Sequence, residues 1–190
     1  MPRFPLLVLL IAASLAGWTG APSPASAEIM KYMRTCEKKM CAYFRASITV
    51  PDNWAEDKEA SREFDAQMLL PKGQTFEKAK AKIYVAVRYN PKKQPVADFI
   101  LDAYEQLRDS AEDGKFTMLP DLTRADGKPP YTRYSFEAPS LKEQGYETQA
   151  VTGDDDKDGN NFIVTIVLTA NTREAFKAAE PAFLSLLNGF

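Results

Sequence analysis

Residues 162–170 read FIVTIVLTA, and this run constrains the fold more than any other feature. It is too short for the ~20 apolar residues of a membrane-spanning helix. Its β-branched residues favour a strand, and one this apolar belongs at the centre of a sheet. A helical pattern follows it. Phe176, Ala179, Phe183, Leu186 and Leu187 recur on one side, and Gly189 is a natural stop. Asn171 and Glu174 have the spacing of a capping box, and Pro181 predicts a kink or a restart.

Upstream, alternation predicts strands over residues 43–50, 64–70 and 82–89. Residues 57–63 are highly charged and read as a solvated loop. Phe99, Ile100, Ala103, Tyr104, Leu107 and Ala111 mark a helix, with Pro95 in its first turn and Gly114 as its stop. Shorter strands are expected at 116–119, 131–137 and 146–152, and 123–130 (TRADGKPP) is the least structured-looking interior stretch. Consecutive strands on short connections imply a largely antiparallel sheet. With two main helices, the fold class is α+β, layered around one sheet.

The first residues have a different character. Arg3 precedes an apolar stretch at 6–16, and Ala25-Ser26-Ala27 fits the small-x-small rule of signal peptidase. The expectation is a signal peptide over residues 1–27 and a periplasmic or secreted protein. It would carry no stable membrane anchor after cleavage. Export makes the two cysteines interpretable, because exported pairs oxidise. Along a helix, Cys36 and Cys41 would be separated by about 7.5 Å of rise, beyond the ~7 Å limit for a disulfide. A Cys36–Cys41 bond therefore demands a turn at Glu37-Lys38-Lys39. The rival for this segment is a Cu(I) site of thioethers and thiolates from Met30, Met33, Cys36, Met40 and Cys41. The plainer alternative packs these methionines on the core as flexible fillers. The domain plan is thus a Cys/Met-containing segment at 28–42 and a single domain at 43–190.

Composition removes whole classes of function. The net charge is −2, and the leader's single charge is positive, so the mature chain is more acidic still. No basic face for nucleic acid is implied. There is no histidine, which excludes the usual triads, HExxH zinc sites and histidine proton shuttles. No G-x-S-x-G elbow, P-loop or G-x-G-x-x-G occurs. Carboxylate chemistry stays open in principle, but nothing marks one pair among 26 acidic residues. Trp54, Tyr131 and Tyr134 are candidates for a groove lining or for ordinary packing on the sheet.

One motif could hold a metal. Asp154, Asp156 and Asp158 alternate, with Gly159 and Asn160 following, like the first half of a calcium loop. Position 12 is Thr165 where a bidentate Glu belongs. The alternative is a polar hairpin tip in which Asp, Gly and Asn serve as turn residues.

The strand ending in Pro51-Asp52-Asn53-Trp54 (FRASITVPDNW, residues 44–54) and the closing strand–helix unit at 162–190 resemble the PsbP-like and DcrB-like group, with the Mog-type Ran-binding proteins. The resemblance implies an α-β-α sandwich over a central, mostly antiparallel sheet. It also implies a non-catalytic accessory role exercised through protein contacts, here with a cell-envelope protein or assembly. It brings no shared catalytic motif, and no cofactor is expected beyond the calcium alternative. The alternative function is weak calcium or small-ligand binding by the Asp154–Asn160 loop.

Overall fold

Side chains alternate across a strand, so the order of the strands decides what each face of the sheet buries. The computed structural model describes residues 28–190; the expected leader lies outside them. Strands β1 (Ile29–Cys36) and β2 (Lys39–Ala46) form a hairpin with its own two-stranded sheet. After it come β3 (Trp54–Glu56), α1 (Lys58–Glu63), β4 (Gln67–Pro71), β5 (Ala81–Tyr89) and α2 (Val96–Ser110). A meander of β6 (Lys115–Leu122), β7 (Tyr131–Glu137), β8 (Tyr146–Asp155) and β9 (Asn161–Ala170) follows, and then α3 (Arg173–Asn188). The main sheet has the order β3-β4-β5-β9-β8-β7-β6, and every neighbouring pair is antiparallel. The fold is α+β, with the apolar run of residues 162–170 in the middle strand.

Alternation on β9 divides the core. Phe162, Val164, Ile166 and Leu168 join Ile83 and Val85 of β5 and the apolar side of α3, chiefly Phe183 and Leu186. Ile163 turns the other way, to Val151, Tyr134 and Ile100 of α2. A smaller cluster of Ala60, Met68 and Leu70 lies beneath α1. α2 and α3 thus serve opposite faces of the sheet.

Several expectations are corrected. Residues 57–63 are not a solvated loop: the Asp57 carboxylate accepts from the N–H groups of Glu59 and Ala60 and starts α1. The cap of α3 is Thr172, whose hydroxyl accepts from the Ala175 N–H, so the Asn171–Glu174 spacing sits one residue early. α3 continues through exposed Pro181 without a restart, held by burial of Ala179 and Phe183 on either side. α2 ends at Ser110, because Ala111 is already extended; Gly114 lies against the ring of Phe136. Pro120 lies in β6, which tolerates it as an edge strand with a register shift there. The boundary at 42/43 falls inside β2, so residues 28–42 hold all of β1, the turn and the first half of β2.

That hairpin turns at Glu37 and Lys38, and Cys36 is bonded to Cys41 with the Cα atoms 5.8 Å apart. Cys36 faces Lys39 and Cys41 faces Arg34, so the bond runs diagonally between strands on one face. Glu37 has φ 53°, the left-handed conformation that tight hairpin turns require. Reduction, or replacement of both cysteines by serine, removes a small-loop constraint of roughly 2 kcal/mol. The expected outcome is faster amide exchange across β1 and β2 with little change in β9. Uniform acceleration throughout the main sheet would contradict a local role for the bond.

Candidate functional site

The base of the hairpin is fixed and its far end projects. Ile29 and Ala46 are buried in the main core, and the Phe44 ring lies 4.8 Å from that of Phe162 and 5.9 Å from that of Tyr89. The Ala46 N–H donates to Oε1 of buried Gln67 at 3.1 Å, and the Ser47 N–H donates to the Glu28 carbonyl at 2.7 Å. Beyond these ties several apolar side chains are open. Met33 is 53% and Met40 59% exposed, and Met30, Tyr32 and Tyr89 are exposed too. The methionines therefore do not pack on the core. A disulfide-stapled hairpin carrying uncovered methionines and tyrosines has the chemistry of a docking surface: Met adapts to irregular partners and Tyr offers apolar area with a polar tip.

Two grooves flank this hairpin. One, of about 450 Å³, lies between it and α1 and includes Tyr43, Arg34, Arg45, Lys58 and Arg62. The Arg34 guanidinium stacks 3.8 Å over the Tyr43 ring and donates from Nη1 to the Arg62 carbonyl at 3.1 Å. Arg45 pairs with Glu56. The other groove, of about 860 Å³, lies between β1 and the turn at 156–160, with three acidic side chains, Glu28, Asp156 and Asp158, and two lysines, Lys31 and Lys157, in its wall. The flanks of the hairpin thus differ in charge.

The calcium-loop residues are not gathered around one point. Asp154 is the penultimate residue of β8 and is buried. Its carboxylate accepts from Arg124 Nη1 and Nη2 at 3.2 and 3.1 Å and from Lys128 Nζ. Asp156 instead organises the turn. Its Oδ1 accepts from the N–H groups of Asp158 and Asn160, and its Oδ2 from the Asn160 amide, all at 2.9 Å. Those bonds, the Asn160 amide first, hold the Asp156 carboxyl below the ordinary carboxylate range. Asp158 is exposed and Gly159 supplies φ 78°. A cation drawing on Asp154 and Asp156 together would have to displace Arg124 and Lys128. Among the described residues, no group of three or more His, Cys, Asp or Glu side chains is arranged to hold a metal ion.

Of the groove-lining candidates, Tyr134 lies apart from Trp54 and Tyr131. Trp54, Tyr131 and Tyr134 are all buried, with Tyr131 in the α3 core and Tyr134 in the α2 core. Two polar clusters had no sequence signal. Arg124, Asp126, Lys128 and Asp154 come together from a loop and a strand far apart in the chain. On the other face, Glu147 is only 7% exposed and accepts at 2.6 Å from Gln149. Burial pushes its carboxyl up, against the lowering effect of that bond.

Among the described residues, no helix is long and apolar enough to cross a membrane. The sequence matches no protein-family model and no curated protein.

Proposed function

We propose that this chain is an exported, non-catalytic binding protein that docks on a cell-envelope protein through its β1–β2 hairpin. The reading takes its architecture as an α-β-α sandwich of the PsbP-like and DcrB-like kind, supported by α2 and α3 on opposite faces of one antiparallel sheet. The observation that carries the reading is the exposure of Met33 and Met40 on a hairpin whose disulfide holds it in shape. Uncovered apolar side chains cost solvation without contributing to the core, and a partner that buries them recovers it.

The test is mild cross-linking of tagged mature protein in its own envelope, with mass spectrometry of what is captured. Wild type should recover one recurrent protein. The variant Met33→Asp/Met40→Asp should lose it while keeping the wild-type melting temperature, since neither side chain is in the core. Retention of the same partner by that variant, or repeated capture of none by wild type, would sink the proposal.

A further inference from the structure

We infer that the groove between the hairpin and α1 receives an acidic, apolar-anchored peptide segment of the partner. This inference rests on the docking role of the hairpin. On a chain of net negative charge, the groove gathers four cationic side chains, Arg34, Arg45, Lys58 and Arg62, against two acidic ones, Glu56 and Asp65. Two of the cations are set in place before any partner arrives. Arg34 lies flat on Tyr43 and is tied to the Arg62 carbonyl, and Arg45 is held by Glu56. Preorganised guanidinium groups bind carboxylates with less ordering cost than free ones. Lys58 and Arg62 stand four residues apart on α1, both exposed, so they rim the groove as an adjacent cationic pair.

The remaining wall is apolar and aromatic, with Tyr32, Met33 and Tyr43. Such a surface takes an apolar anchor beside each carboxylate rather than a purely ionic tail. The opposite flank adds direction. There Glu28, Asp156 and Asp158 stand with Lys31 and Lys157, an excess of one acidic side chain, against an excess of two cations beside α1, so the charge difference across the hairpin favours the α1 groove for an acidic segment.

The probe is a fluorescein-labelled peptide of alternating Glu and Phe, with Gln/Phe and Lys/Phe counterparts, titrated by fluorescence anisotropy against the mature, disulfide-bonded protein. The Glu/Phe peptide should bind best, and added salt should weaken it. Lys58→Glu/Arg62→Glu should weaken it by about tenfold or more, while the melting temperature holds. The same variant should lose the envelope partner. Equal binding of the Gln/Phe peptide, or an unchanged affinity in the charge-reversed variant, would overturn the inference. So would binding to vesicles of anionic lipid with none to the Glu/Phe peptide, which would give the groove to a membrane surface. If Met33→Asp/Met40→Asp abolishes partner capture and Lys58→Glu/Arg62→Glu does not, the hairpin reading survives and the acidic-segment inference falls alone.

Discussion

Arg124→Ala should destabilise the protein by about 3–5 kcal/mol, the usual cost of stripping one partner from a buried ion pair. For a domain of this size that is a fall in melting temperature of roughly 10 °C. The Arg124 side chain is fully buried. Its Nε and Nη2 donate to the two oxygens of Asp126 at 3.1 and 2.7 Å, and Nη1 and Nη2 both donate to Asp154. The guanidinium lies 5.5 Å from the Tyr131 ring and 5.0 Å from the Phe190 ring. It therefore joins the 123–130 loop, the end of β8 and the residues after α3. Burial alone would raise the Asp126 carboxyl, but the bonds from Arg124 and the Lys128 N–H outweigh it and hold the group below its ordinary range. Without Arg124, buried Asp154 and half-buried Asp126 are left, among the described residues, with Lys128 as the cation beside them. Urea unfolding would measure the loss. Adding Asp154→Leu to Arg124→Met should recover part of it, because the deeply buried carboxylate is removed with its partner while half-buried Asp126 keeps Lys128 nearby. A loss under 1 kcal/mol for Arg124→Ala, or no recovery in the double variant, would show that the network does not hold the loop.

This network also marks where sequence reading stops. Periodicity exposed residues 131–137 and 161–170 almost to their ends, because each strand's burial is written in its own neighbours. The Cys36–Cys41 bond was legible from spacing and export alone. By contrast, residues 123–130 look structureless because their order comes from Arg124 meeting a carboxylate thirty residues away. Asp154 resembles the first ligand of a calcium loop in sequence, yet the strand carries it out of the turn and against Arg124. A short helix such as α1 has too few turns to show a period, and only the Asp57 cap could have revealed it. The exposed methionines were misread because residue type does not tell a strand in the core from one that projects beyond it.

Glu147→Gln should stabilise the protein at neutral pH and leave it unchanged at low pH. Glu147 sits on β8 and accepts from the Gln149 amide, and among the described residues burial outweighs that bond and raises its carboxyl. Tyr84 of β5 and Tyr134 of β7 face it, and both hydroxyls are pushed up, by burial first and by the Glu147 charge second. Among the described residues, the Tyr134 hydroxyl and the Thr169 hydroxyl on β9 are themselves buried without a hydrogen-bond partner. Because the folded-state value is raised, the folded protein holds this proton more tightly than the unfolded chain does. The resulting stability is fully present below the unfolded glutamate value of about 4.3 and is lost as pH rises through the folded value. Asp126 acts in the opposite sense: its stability is present above the unfolded aspartate value and is lost on acidification through its lowered folded value. The wild-type profile mixes these slopes, so the difference between wild type and Glu147→Gln isolates one group. That difference should be near zero at pH 4 and should grow, in favour of the variant, to on the order of 1 kcal/mol or more at pH 8. Glutamine keeps an oxygen for the Gln149 amide, so packing is conserved while the charge is removed. A flat difference from pH 4 to pH 8, measured by urea unfolding, would mean that Glu147 ionises as freely in the folded protein as in the unfolded chain.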